Sequence, residues 1–168
     1  MPSGSAAVNY TVNYAAADSI IDRLIAAAER PTGVRFVGHS VQAADGDSFV
    51  SWAQIHEEAR GVAAALQARG LVPGDHVAIL GPTSRSLMTI VQGCWLAGMA
   101  SMVLPLPMRM GSLAAFVEST RARIHHGDAK LILIDDLLAA LYEAGPNGPP
   151  IEPMAAVMPG AAGLPGAD

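Results

Sequence analysis

A chain of 168 residues with 51% hydrophobic and 15% charged content is long and apolar enough to bury a core, which excludes disorder for most of its length. Its formal charge of -5, with ten Lys and Arg scattered along it, excludes the clustered basic footprint that nucleic acid requires. Cys94 is the single cysteine, so an internal disulfide and a cysteine-rich zinc site are excluded, and a reducing cytoplasm fits best.

The start, Met1-Pro2-Ser3-Gly4-Ser5, lacks a basic region, and Asn9, Thr11, Asn13 and Asp18 interrupt any apolar run of the secretory kind. Asp18 can cap a helix from Ser19 to Arg30, where Ile20, Ile21, Leu24, Ile25 and Ala28 recur at helical spacing before Pro31. Val34 to Val37 and Ser48 to Ser51 alternate as short strands, and Ala44-Asp45-Gly46-Asp47 between them carries turn residues, so an antiparallel hairpin is expected. Ser51 and Gln54 form a capping-box pattern that starts a helix at Trp52, with Ile55, Ala59, Val62, Ala63 and Leu66 inward and Gly70 as its left-handed stop.

Pro73-Gly74-Asp75 then turns the chain into the apolar strand 76–80. Thr83 or Ser84 caps a helix running to about Ala97, which Gly98 ends, and Gly93 within it predicts close packing against a neighbour. A strand follows at 100–104. The apolar region from Leu87 to Leu106 approaches the length of a membrane span, but Gln92, Gly93, Gly98 and two prolines break it, so it reads as a buried helix and strand. Ser112 caps a helix from Leu113 to His126, Gly127 ends it, and a strand occupies 130–134. Leu137 to Ala144 reads as one more short helix. From Gly145 to Asp168 the chain holds six of its twelve prolines and predicts an irregular tail. Three apolar strands with a helix in each gap predict an α/β layered fold with a mostly parallel sheet and flanking helices. The expected organisation is an extension over 1–17, an α/β domain over 18–144, and the tail over 145–168.

The ordered set Gly70-x-x-Pro73-Gly74-Asp75-x-Val77-Ala78, then Trp95-Leu96-Ala97-Gly98, then a strand closing on Pro105-Leu106, resembles the start of the large N-terminal domain of AMP-forming acyl-activating enzymes. Pro107-Met108-Arg109-Met110-Gly111-Ser112, with Phe116-Val117 and Thr120-Arg121-Ala122-Arg123-Ile124, looks most like the fatty acyl-AMP ligase branch. The resemblance covers roughly Asp18 to Asp168. It implies cytoplasmic enzymes that join ATP and a fatty acid into an acyl-adenylate with release of pyrophosphate, and in this branch pass the acyl group to the phosphopantetheine arm of an acyl carrier protein. It also implies ATP and magnesium as cofactors of the parent enzyme. The family's phosphate loop, its adenine and magnesium motifs and its C-terminal lysine are expected beyond Asp168, so the chain reads as an incomplete portion of the large domain.

No residue of the chain reads as catalytic, cofactor-binding or metal-binding. Gly81-Pro82-Thr83-Ser84 precedes a helix as an anion-binding turn would, but it lacks the Gly-Lys-Ser/Thr ending and Pro82 removes an amide donor. His125 and His126 project about 100° apart on a helix and do not converge on a metal. His39, His56 and His76 are isolated, and His56-Glu57-Glu58 lacks the second histidine of a zinc-protease helix. Cys94, beside Trp95 in an apolar helix, reads as a buried thiol. Asp135-Asp136, at a strand's carboxyl end, reads as a helix cap in preference to a ligand group. The expected function is therefore that of a fatty acyl-AMP ligase, with this portion inactive by itself. Two alternatives stand beside it: part of a fatty acyl-CoA ligase, and a noncatalytic module that associates through an unpaired sheet edge.

Overall fold

In the computed structural model, residues 19–37, 48–106, 112–143 and 145–160 are described. Helix α1, Ile20–Ala28, is capped by Ser19 and not by Asp18, which lies outside the described residues. The sequence Ser19-Ile20-Ile21-Asp22 builds a reciprocal box: the Asp22 amide donates to Ser19 Oγ at 3.2 Å, and the Ser19 amide donates to the Asp22 carboxylate at 2.9 Å. Strands β1, Gly33–Phe36, and β2, Ser48–Ser51, pair antiparallel as a separate two-stranded sheet, with Val34 opposite Val50. Their expected turn, Ala44 to Asp47, lies outside the described residues. Helix α2, Trp52–Ala68, receives half of its expected box, the Gln54 amide donating to Ser51 Oγ at 3.2 Å with no return bond from the Gln54 side chain. Gly70 ends it with φ +84°, the left-handed backbone that glycine adopts without strain.

The turn at Pro73-Gly74-Asp75 is built as its residues require. Gly74 has φ +94°, the Asp75 amide closes on the Val72 carbonyl at 3.0 Å, and the Asp75 carboxylate accepts from the Val72 amide at 2.8 Å. It delivers the chain into β3, His76–Leu80. Helix α3, Arg85–Leu96, is capped by Ser84 and ends in a Schellman motif at Gly98, with the Met99 amide on the Cys94 carbonyl at 2.8 Å. Next come β4, Ala100–Val103, then α4, Leu113–His126, capped by Ser112, and β5, Ala129–Ile134. A short α5, Asp136–Ala139, stops well before the expected Ala144. At the end of α4 the left-handed residue is Asp128, φ +47°, and not Gly127. A Cβ on Gly127 would meet chiefly the far end of the Met102 side chain.

The expectation of an irregular segment from Gly145 is corrected over 151–157. Ile151–Pro153 forms β6, parallel to β5 with Ile132 opposite Ile151, and Met154–Val157 follows as a 3-10 turn. The open edge of β5 supplies the order that composition does not: the Ile132 amide donates to the Pro150 carbonyl at 2.9 Å, and Pro153 sits on an edge strand, where proline is tolerated. Arg69, at the end of α2, holds this segment from the other side. Its guanidinium donates to Glu152 at 2.8 Å and to the Ala156 carbonyl at 3.0 Å.

The four strands pair in the order β4-β3-β5-β6, all parallel. Alternation divides their side chains between two cores. Val77, Ile79, Leu131 and Leu133 face α2, α3 and the 3-10 turn, whereas Ala78, Leu80, Ile132 and Ile134 face α4, α5 and Tyr142. Each buried Val, Leu or Ile side chain among them contributes about 1.5–3 kcal/mol. Gly93 packs as its position in α3 predicts. A Cβ there would lie 2.6 Å from Val62 Cγ1 and 3.1 Å from the Ala59 carbonyl, so its absence lets α3 approach α2.

Candidate functional site

In a parallel sheet, ligands sit beyond the carboxyl ends of strands where neighbouring connections leave in opposite directions. Here that point lies between β3, whose connection runs to β4, and β5, whose connection runs to β6. Gly81 and Asp135 emerge there side by side, the Asp135 amide donating to the Leu80 carbonyl at 2.9 Å. A Cβ on Gly81 would stand 3.3 Å from Asp135 Cβ and 2.8 Å from Met154 Sδ, so the sulfur of the 3-10 turn already fills the space beside the glycine.

The polar groups at this point are committed to the backbone. Ser84 Oγ accepts from the Leu87 amide at 3.2 Å, and Asp135 Oδ1 accepts from the Leu137 amide at 3.0 Å, which makes both of them caps. Arg85, the first residue of α3, forks onto the Glu58 carboxylate of α2, with Nε at 3.1 Å from Oε2 and Nη2 on Oε1. The bond from Glu58 holds the guanidinium above its ordinary pKa and neutralises the nearest cation. A triphosphate with magnesium needs free donors, a cation and anionic oxygens, and these residues do not fit such a group.

The histidines and the cysteine are dispersed. His125 and His126 lie exposed at the end of α4 with ring centroids 6.0 Å apart, and among the described residues no cluster of His, Cys, Asp and Glu could hold a metal. His76 Nδ1 meets the Gly127 carbonyl and ties β3 to the turn before β5. His56 is half-buried on α2 with Nδ1 lacking a partner among the described residues, and His39 lies outside them. Cys94 is fully buried, and loss of solvation pushes its thiol up to about 12, far from a reactive thiolate. Sequence reasoning overlooked Tyr142 and Met154, and met Arg121 only within the pattern Thr120-Arg121-Ala122-Arg123-Ile124. Their roles arise from contacts between segments distant in the chain, and no local spacing signals them.

An α/β layer of this order, with a glycine turn feeding β3 and a carboxyl end whose polar groups are spent on caps and an ion pair, is not a self-contained phosphate site. The family model of AMP-binding enzymes matches residues 25–151, most of the chain, and the protein belongs to that family. It is 30% identical over 105 residues to a fatty acid:acyl-carrier-protein ligase, ScoC, of Streptomyces coeruleorubidus, across 60% of this chain and 18% of the relative. It is also 36% identical over 64 residues to a methyl-dioxo-octahydroindenyl-propanoyl:CoA ligase of Rhodococcus jostii, covering 38% of this chain and 12% of that one. Among solved structures, one from a study of fatty acyl-adenylate ligases of E. coli and L. pneumophila superimposes with a TM-score of 0.72 at 19% identity. That match spans 90% of this chain and 28% of the other, and shows the shared fold. The chain thus spans less than a third of the length of these relatives. No helix among the described residues is long and apolar enough to cross a membrane.

Proposed function

We propose that this chain supplies scaffold, and not reacting groups, to an ATP-dependent fatty acid ligase of the acyl-AMP-forming branch, which acts in the cytoplasm and hands its acyl group to a carrier protein. The observation that carries the reading is the commitment of Ser84, Arg85 and Asp135 to caps and an ion pair at the carboxyl ends of β3 and β5, inside a family match over 25–151. Likeness to a fatty acid:acyl-carrier-protein ligase supports the substrate and the acceptor. In this reading, ATP and magnesium engage residues outside this chain's own, and the β3–α3–β4 unit positions the sheet that presents them. An acyl-CoA ligase is the second reading, supported by the likeness to the Rhodococcus CoA ligase.

The test is ATP–pyrophosphate exchange with dodecanoate and magnesium, using the purified 168-residue chain. Exchange at the level of a protein-free control is expected. Robust exchange would place reacting groups within these residues and overturn the proposal.

A further inference from the structure

At the amino end of the sheet, opposite Gly81 and Asp135, a cavity of about 520 Å³ opens between the carboxyl half of α4, the start of β5 and the loop 145–149. Its volume falls in the range of small-molecule sites, and its walls mix apolar surface from Pro146 and Pro149 with Arg121, His125, Lys130 and Tyr142. Tyr142 is the informative group. Only 3% of it is exposed, and its hydroxyl, which makes no hydrogen bond to a described residue, is not among the polar atoms sealed from solvent, so it opens toward the cavity that Tyr142 lines. Burial also raises its pKa, so the phenol is present as a donor.

Arg121 lines the same cavity. Its Nε and Nη2 donate to the Glu143 carbonyl at 3.1 and 2.8 Å, which fixes the guanidinium and leaves Nη1 without a hydrogen bond among the described residues. Lys130 is paired with Asp128 at 2.8 Å, so that pair carries no net charge and the Arg121 guanidinium adds one positive charge to the cavity wall. One unneutralised charge and two unspent donors suit a monoanion with two acceptor oxygens. A phosphate monoester would bring nearly two negative charges to the same place.

We propose that this cavity binds a small organic monocarboxylate, its oxygens taken by the Tyr142 hydroxyl and Arg121 and its apolar body laid against Pro146 and Pro149. The site is separate from acyl activation, since it lies at the other end of the strands, and it stands or falls independently of the ligase reading.

Titration of the isotopically labelled full chain with sodium phenylacetate, followed by amide NMR, tests it. Saturable shifts at Lys130, Gly145 and Gly148 are expected at about millimolar ligand, the affinity that a few efficient contacts give so small a molecule. Tyr142→Phe should weaken binding about fivefold, the usual effect of one hydrogen bond, and Lys130→Gln about two- to threefold. Inorganic phosphate at equal concentration should leave the phenylacetate shifts in place. A flat titration, shifts confined to another surface, displacement by phosphate, or a Lys130→Gln protein that binds as tightly as the parent would each overturn the assignment. Lys130 is half-exposed, so its variant keeps the test decisive even where Tyr142→Phe disturbs the fold.

Discussion

The two faces of the sheet are covered in different ways. On one, α2 and α3 lie together over Val77, Ile79, Leu131 and Leu133, closed by Met154 and Val157, and Gly93 removes the last side chain between the helices. On the other, α4 is the one long helix, with α5 and Tyr142 completing the cover over Ala78, Leu80, Ile132 and Ile134, and a cavity opens beside Tyr142. Two helices in contact exclude water and ligand alike, whereas one helix and a proline-rich loop leave space that polar groups can line. The same alternating strands therefore build a closed face and an open one.

The largest expected effect follows from the closed face. Cys94 keeps its proton in the fold up to about pH 12, but in the unfolded chain it ionises from 9.0. Between those values the native state binds the extra proton, so stability is complete below pH 9 and falls as pH rises toward 12. At about 1.4 kcal/mol per unit, the loss reaches about 4 kcal/mol. Urea unfolding at pH 8 and pH 11 should show a steep drop for the parent and a shallower one for Cys94→Ala, whose residual slope belongs to groups such as Tyr142, also raised by burial. Equal slopes for the two proteins would mean that water reaches the thiol and that the closed face is open.

A matched pair of glycine substitutions compares the faces directly. Gly93→Ala would drive a Cβ against Val62 Cβ at 2.7 Å and the Ala59 carbonyl at 3.1 Å, atoms fixed by the α2 backbone. Overpacking costs about 1–3 kcal/mol, offset in part by the ~1 kcal/mol that alanine gains in a helix. A net loss of about 1–2 kcal/mol should lower the thermal midpoint by about 5 °C. Gly127→Ala, on the open face, meets chiefly Met102 Cε, the far end of a flexible side chain that can swing away. Its effect should stay within about 0.5 kcal/mol. An equal drop for both would abolish the contrast.

The sequence made the closed face legible because its signals are local. Ser84, Gly93 and Gly98 mark the start, the contact and the end of α3 within a single helix, and the short apolar runs 76–80 and 130–134, each preceded by turn residues, read as buried strands. The open face is harder to read. β6 has three residues, Ile151–Pro153, inside a proline-rich stretch, and it becomes a strand only because the edge of β5 is there to pair with it. The left-handed residue after α4 is Asp128 although a glycine precedes it, and no local pattern marks that choice. At the candidate site, Gly81 and Asp135 could be placed at strand ends from sequence. Met154 filling the space beside them could not, since no pattern in 145–168 announces it.

The smallest effect tests whether the open face holds its polar groups for stability. Lys130 and Asp128 form an ion pair 2.8 Å apart, and their bond lowers the Asp128 pKa and raises that of Lys130, yet both lie open to solvent. Water screens such a pair, and ordering two long side chains offsets most of what it gains. Lys130→Gln should therefore leave the thermal midpoint unmoved at neutral pH and in high salt. A clear destabilisation would make Lys130 part of the structural frame of β5. An unmoved midpoint together with weakened carboxylate binding would mean that the charge serves the cavity and not the fold, which is the distinction between a closed face that is all packing and an open face that keeps donors to spare.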